Sequence, residues 1–238
     1  MNDVPTNDTL RHLDWDALDR GLDDDGYAVT PVPVLDPVAC ARLAAAFDDD
    51  GWYRSTVDMG RHRFGRGVYR YYGDGLPAEV AALREAAYPP LAAIANRWQQ
   101  RLGRPRFPGS LDGLLERCRA AGQVRQTSLI LRYRPGDWNA LHQDTYGEVA
   151  FPLQLAVALT RPGTDFTGGE TLLVEQRPRA QSRATAITVP QGHAVVFPNR
   201  DRPVPGARGH HRVSVRHGVS TVQSGTRLAL GVIFHLAR

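Results

Sequence analysis

The 238-residue sequence contains no lysine: all 29 basic residues are arginine. It has only two cysteines, Cys40 and Cys118, far apart in apolar helical contexts, which excludes a disulfide framework. It has no run of about 18 apolar residues, so no stretch reads as a membrane-spanning helix. Its opening, MNDVPTNDTLRHLDWD, is polar and acidic and lacks the basic-then-apolar pattern of a secretory signal. A cytoplasmic location is the resulting expectation. Internal repeats and low-complexity linkers are missing too, and no obligate protein partner is evident. What remains is 42% hydrophobic and 23% charged, the balance of an ordinary globular chain.

The charge that is present is unevenly placed. Residues 1–50 hold three arginines against twelve aspartates, a net −9, whereas residues 51–238 carry +13. An acidic front and a basic body suggest a polyanionic partner for the body. Arginines engaged in surface ion pairs would give the same count, and composition does not separate the two.

Along the chain, Asp14 to Leu22 reads as a short amphipathic helix, and GYAVTPV (26–32) alternates like a strand. Asp36 followed by Pro37 supplies an N-cap and a first-turn proline for a helix over VACARLAAAF. Residues 52–72 interleave arginines, aromatics and glycines without a clean period. Residues 77–102 are alanine-rich and helical, with a break expected at Pro89-Pro90 and a stop at Gly103. SLDGLLERCRAAG (110–122) reads as another helix. From Gln126 onward the pattern changes to short apolar runs: TSLILRY, FPLQLAVALT, ETLLVEQ, ATAITVP, HAVVFP, HRVSVRHGVSTV and RLALGVIFH. Turn signals separate them and no helical pattern intervenes, which predicts an antiparallel double-layered β structure. The expected fold is mainly β with flanking helices: a double-stranded β-helix (jelly roll) behind an N-terminal helical extension. The whole chain, 1–238, is read as one domain, with residues 1–125 as a helical and lid region and residues 126–238 as the core.

The chemistry centres on RYRPGDWNALHQD (132–144). His142 and Asp144 stand at i and i+2, so in an extended chain both side chains share one face and can reach one metal ion. With a second histidine they would form the two-His-one-carboxylate triad that leaves three coordination positions open on non-haem Fe(II). Five histidines follow: His193, His210, His211, His217 and His235. His217 stands out because Arg227 lies ten residues on, across a Ser-Gly turn. A three-residue loop, Gln223-Ser224-Gly225, with glycine last in the left-handed position, would set His217 opposite Gly231 in a hairpin. His217, Val219 and Thr221 would then share a face with Arg227, Ala229 and Gly231. The small residues leave a cavity, and a buried arginine at its end calls for a carboxylate. Iron ligands, room beside them and a carboxylate anchor one small molecule away are what a 2-oxoglutarate-dependent oxygenase needs.

The ordered set H-x-D, H and an arginine ten residues later, on a strand-rich chain, resembles the Fe(II)/2-oxoglutarate dioxygenase superfamily. RYRPG followed by LHQD looks like the AlkB branch of nucleic-acid dealkylases. HQDTYGEVAFPLQLAV, FTGGETLLVEQRPRAQSR and RHGVSTVQSGTRLALGVIFH are similar to a bacterial oxygenase family described as acting on damaged DNA. The likeness covers residues 126–235. It implies that His142, Asp144 and His217 bind Fe(II), that Arg227 takes the distal carboxylate of 2-oxoglutarate, and that Tyr133 adds a hydroxyl to this cosubstrate. O2 would complete the reactants, giving succinate, CO2 and an oxidised C–H bond. Two positions depart from the AlkB pattern: Leu131 stands where an asparagine is usual, and Ile233 where a second arginine is usual.

If alkylated DNA is the substrate, the target base must leave the stack and be held between aromatics. RHRFGRGVYRYY (61–72) offers Arg61, Arg63, Arg66 and Arg70 for phosphates and Phe64, Tyr69, Tyr71 and Tyr72 for stacking. It sits where AlkB-like enzymes carry a substrate lid. Arg200, Arg202, Arg208, Arg212 and Arg216 form a second basic set before the distal histidine. A hydroxylase of a small metabolite or a protein side chain would use the same iron site, and a cupin-like binding module would share the fold without turnover. Glu170, Glu175 and Gln176, in GGETLLVEQRPR, carry no role that the sequence explains.

Overall fold

The computed structural model describes residues 6–177, 180–207 and 209–238. Its centre is a seven-stranded antiparallel sheet running, edge to edge, Ala28–Val29, Ala194–Pro198, Leu153–Ala158, Arg227–Ile233, Leu129–Tyr133, Val68–Tyr72 and Tyr53–Asp58. A second sheet contains Arg183–Ile187, Thr171–Gln176, Gly209–Val219, Trp138–His142 and Gly65–Arg66, with Asp201–Gly206 paired to Gly209–Val219. All seven apolar runs of the C-terminal half are strands, and the mainly β jelly roll expected from them is the fold found.

Strand alternation divides the central sheet between two partners. Leu153, Leu155 and Val157, with Val196, Leu230 and Val232, pack with the helices in one apolar cluster. Val195 and Phe197, one residue out of phase, pack with Leu173, Ile187 and Val215 of the second sheet. The central sheet therefore has helices on one face and the second sheet on the other. Among the described residues no helix is long and apolar enough to cross a membrane.

The helices follow their local signals. Asp14 caps Trp15–Asp24 by accepting from the Ala17 amide, and Asp36 caps Pro37–Ala45 by accepting from Ala39 at 2.7 Å. Ser110 caps Leu111–Ala120. The break expected at Pro89-Pro90 does not occur: Ala78–Arg101 is one helix through both prolines, ending before Gly103 at φ +65°. Pro89 and Pro90 are exposed and half-buried respectively, in phase with Glu85 and Ala86, the carbonyls that lose a helical partner to them. The inner face buries Val80, Leu83, Leu91, Ile94 and Trp98, each worth roughly 1.5–3 kcal/mol, against a cost of about 3 kcal/mol for an interior proline.

Three further expectations change. Residues 52–72, which show no period, form Tyr53–Asp58, the short helix Met59–His62 and Val68–Tyr72, so strands from before residue 126 extend the central sheet. The strand over 26–32 shortens to Ala28–Val29. The His217–Arg227 hairpin does not form. Gly209–Val219 belongs to the second sheet and Arg227–Ile233 to the central one, where Arg227 faces Tyr133 and Gly231 faces Leu129. Between them Val222–Gly225 pairs with Phe166–Gly168 and carries the chain from one sheet to the other. Gly225 is left-handed (φ +72°), as expected of it, but it serves this crossing: a Cβ there would clash with the Asp165 carbonyl.

Acidic front and basic body pair with each other within the molecule. Asp19, Asp23, Asp25, Asp48 and Asp50 pair with Arg97, Arg101, Arg183, Arg132 and Arg70 respectively. Part of the uneven charge is thus intramolecular complementarity, and the +13 of the body overstates what it offers a partner.

Candidate metal centre and cosubstrate pocket

A cavity of about 400 Å³ opens between the two sheets. Its second-sheet wall carries His142 and His217, which lie directly opposite each other on antiparallel strands with ring centroids 4.2 Å apart. The pairing slips by one residue between His217 and Val219, a β-bulge that re-aims the histidine strand. Gly218 permits the close approach: a Cβ there would lie 2.6 Å from the Asn139 carbonyl. Asp144 falls two residues past the strand end, yet its side chain meets the histidines, with Oδ2 at 3.0 Å from His217 Nε2 and Oδ1 at 3.7 Å from His142 Nε2. The candidate ligand atoms of the three residues lie within 4.8 Å of one another.

The donor chemistry fits a divalent cation. His142 Nδ1 donates to the Ala140 carbonyl at 2.7 Å, because a carbonyl can only accept, and this leaves the Nε2 lone pair for a metal. Burial, and then the neighbouring His217, push the His142 pKa down, so the ring is neutral near pH 7. Burial alone would raise the Asp144 carboxyl, but His217, His142 and a Tyr146 hydrogen bond outweigh it and hold the group well below its usual range. An ionised carboxylate and a neutral imidazole are the states that metal binding requires.

The opposite wall belongs to the central sheet. Arg227, Ala229 and Gly231 line the cavity, as do their cross-strand partners Tyr133, Leu131 and Leu129. Arg227 is 7% exposed. Its guanidinium lies 5.3 Å from the Tyr133 ring centre and donates to Thr171 Oγ1 at 3.3 Å. Among the described residues no carboxylate forms an ion pair with it. Burial lowers its pKa, while Tyr133 and Glu170 oppose that shift. A buried cation with spare donors at the end of a cavity is chemically suited to an anion. Tyr133, pushed up to about 12 by burial, keeps its proton, and its Oη accepts from Asn139 at 3.2 Å.

Sequence reasoning missed several of these supports. Asn139 and Thr171 flank the guanidinium end of the cavity, and Gly169 (φ +66°) makes room for the arginine, since a Cβ there would sit 2.9 Å from Arg227 Cδ. The Gly-Gly pair before Thr171 was visible, but it read only as a turn. Glu175 now has a role: it binds Arg202 at 2.8 Å, and Arg202 donates to the Asp23 carbonyl at the end of an N-terminal helix. Glu170 pairs with the Ser220 hydroxyl, and Gln176 with that of Ser182.

The remaining histidines lie elsewhere. His193 contacts the Thr30 carbonyl, His210 and His211 are exposed, and His235 is buried beside Tyr146. In the segment 61–72, alternation decides the outcome. Tyr69 and Tyr71 face the cavity, joined at its mouth by Arg63 and Phe64. Arg70 and Tyr72 face away: Arg70 is buried, donates to the Phe47 carbonyl and Asp50, and is committed to the fold, while Tyr72 stacks on Tyr53. Arg61 and Arg66 are exposed but do not line the cavity, and Arg61 is 3.6 Å from Asp58. In the second basic set Arg202 is buried, Arg212 lies 3.6 Å from Asp201, Arg200 and Arg216 are exposed, and Arg208 lies outside the described residues.

Residues 67–237 match a family named Oxygenase-NA, described as an oxygenase catalysing oxidative methylation of damaged DNA. The chain belongs to this family. The chain is also similar to an uncharacterized protein in each of two Mycobacterium tuberculosis strains (CDC 1551 and H37Rv). Each is 57% identical over 157 residues, 66% of this chain and 67% of the relative. Solved structures share the fold at low identity. An oxidoreductase of the 2OG-Fe(II) oxygenase family from Burkholderia pseudomallei aligns with TM-score 0.57 and 16% identity over 94% of this chain and 92% of its own. A Trichoplax adhaerens prolyl hydroxylase, solved with a hypoxia-inducible-factor peptide fragment, aligns with TM-score 0.56 and 14% identity over 98% and 93%. By family the Oxygenase-NA chain is an oxygenase, its fold is shared with solved 2OG-Fe(II) oxygenases, and its described residues bring together a His-Asp-His group that could hold a metal ion.

Proposed function

We propose that the enzyme oxidatively removes alkyl groups from bases in nucleic acid. The observation that carries this reading is the lip of the cavity. Tyr69, Tyr71 and Phe64 present rings around its mouth, and Arg63 stands beside them as the one non-glycine residue with positive φ among those described (φ 59°). Aromatic faces with a guanidinium alongside suit an extruded base and its phosphate. A strained backbone conformation of this kind costs about 1–3 kcal/mol and clusters at functional sites. The lip is rigidly placed, since the Phe64 carbonyl accepts from Ala140 and Gly65 pairs with Asn139, both on the strand that carries His142. The family description supports the same substrate class.

In this reading His142, Asp144 and His217 hold Fe(II), and Arg227, with Tyr133 beside it, takes the distal carboxylate of 2-oxoglutarate. When bound, the metal and cosubstrate supply O2-dependent oxidation of a C–H bond with release of succinate and CO2. The protein's share is placement: the lip holds the base, while Leu131, Ala229 and Gly231 keep the cosubstrate end small and apolar. Oxidation of an N-alkyl carbon gives a hemiaminal that collapses to the free base and an aldehyde. The test is succinate and aldehyde release on adding methylated single-stranded DNA, with His217→Ala as the inactive control. Succinate formation that no alkylated oligonucleotide stimulates would sink the nucleic-acid reading and favour a small metabolite or protein side chain.

A further inference from the structure

Asp144 lies beyond the end of its strand, so no strand ladder orients its carboxylate. Two side chains do. Tyr146 Oη donates to Oδ1 at 2.6 Å, and Gln154 Nε2 reaches across from the central sheet to donate to Oδ2 at 3.0 Å, lying 3.3 Å from His217 Nε2 as well. Gln154 is 4% exposed, and Tyr146 is packed against the ring of His235. Tyr146 also receives a hydrogen bond at 3.2 Å from Tyr71 Oη. Because Tyr146 has one proton and Asp144 takes it, the chain runs one way: Tyr71 to Tyr146 to Asp144. Tyr71 stands on the substrate wall, edge-on to Tyr69 at 5.3 Å.

We propose that Tyr146 is a positioning residue that ties the Asp144 carboxylate to the Tyr69/Tyr71 wall, so that contact at the wall and metal affinity are linked. This rests on the reading of His142, Asp144 and His217 as the metal group. The physical content is simple. With Oδ1 engaged by Tyr146, the carboxylate cannot turn freely to chelate through both oxygens, which would consume a coordination position that the cosubstrate or O2 needs. A hydrogen bond to a ligating carboxylate also fixes its orientation, and loss of such a partner typically weakens metal binding 10–100-fold. Tyr71 acts only through Tyr146, so its effect must vanish when the Tyr146 hydroxyl is gone.

The test measures Fe(II) dissociation constants anaerobically, by chelator competition, for the wild type, Tyr146→Phe, Tyr71→Phe and the double variant, with melting temperatures recorded alongside. Tyr146→Phe should bind Fe(II) about 10–100-fold more weakly at little change in melting temperature. Tyr71→Phe should show a smaller loss, although it never touches the carboxylate, and no further loss in the Tyr146→Phe background. Binding within twofold of wild type for Tyr146→Phe, or additive effects of the two changes, overturns the proposal. If Tyr146→Phe does not fold, the Tyr71→Phe loss decides alone: unchanged metal affinity there rejects the link. A His142→Ala arm separates the two levels. Undiminished Fe(II) binding by that variant overturns the metal-site reading itself. Its loss, with Tyr146→Phe unaffected, overturns only the positioning role.

Discussion

Replacing Arg227 by methionine should leave the free protein as stable as before and remove most of its response to 2-oxoglutarate. The guanidinium is buried, has one 3.3 Å hydrogen bond to Thr171 and no ion-pair partner among the described residues, so its desolvation is poorly compensated without a ligand. Replacing such a cation with an apolar side chain of similar length is often neutral or stabilising. With ligand, the pair it forms is buried and charge-assisted, and removing one partner of such a pair costs about 2–5 kcal/mol. At about 1.4 kcal/mol per tenfold, affinity for 2-oxoglutarate falls by roughly 30-fold to several thousandfold. A thermal-shift assay with Mn(II) reads this directly. At 2-oxoglutarate near 100 times its dissociation constant, the wild type gains about 2.7 kcal/mol. For a chain of this length that is about 5–11 °C. Arg227→Met should show at most about a third of that gain at the same concentration. A full shift in the variant refutes the assignment of Arg227 as the carboxylate anchor. A collapse of the ligand-free protein refutes the argument that it is uncompensated.

Three other outcomes follow from particular residues. His235 is fully buried, its Nε2 has no hydrogen-bond partner among the described residues, and burial lowers its pKa to about 4, so the folded state favours the neutral ring. Stability is therefore lost progressively as pH falls from about 6.5 toward 4, by about 3 kcal/mol in total. His235→Leu should flatten that part of the melting-temperature profile, and an unchanged acid slope counts against it. Gly169→Ala forces a side chain into φ +66° and against Arg227 Cδ at 2.9 Å. It should cost at least about 1 kcal/mol in urea unfolding and raise the KM for 2-oxoglutarate, and a stability loss with no KM change would separate Gly169 from the anchor. Arg63→Gly suits the left-handed position, so stability should hold or rise by up to about 1 kcal/mol while oligonucleotide binding weakens. The slope of log affinity against log salt should fall by about 0.7 for a single strand, and an unaltered slope would remove Arg63 from the phosphate contacts.

Much of the core was legible because strands and turns are local signals. Seven apolar runs bounded by glycine or proline gave seven strands, and the Asp36-Pro37 cap marked a helix start. The proline pair misled because interior packing, a tertiary term, outweighs a local penalty. Residues 52–72 were opaque because Val68–Tyr72 is lined by aromatics on both faces: Tyr69 and Tyr71 toward the cavity, Tyr72 toward the helices. The same alternation removes Arg70 from the substrate group, which spacing alone did not reveal. His217 and Arg227 were correctly aimed at one interior by a wrong route. A ten-residue separation fits a hairpin, but it also fits a chain that leaves one sheet and enters the facing one. Tyr146 and Gln154 were invisible as functional residues, since their importance lies in touching Asp144 across the fold.

That crossing has a consequence for which acids the enzyme accepts. His142 and His217 stand on one sheet and the guanidinium on the other, and stacked sheets lie about 10 Å apart. The gap is propped open by Leu173, Val195, Phe197 and Val215, with the Phe197 ring itself tilted against that of His217 at 4.9 Å. These side chains therefore work as a length gauge. With His142, Asp144 and His217 read as the metal group and Arg227 as the carboxylate anchor, a five-carbon keto diacid should span that gap and a four-carbon one should fall short at one end. Selection among diacids is thereby a property of interlayer packing, and comparing KM values for 2-oxoglutarate and oxaloacetate in Phe197→Leu would reveal it, with no change in their ratio showing that the gauge lies elsewhere.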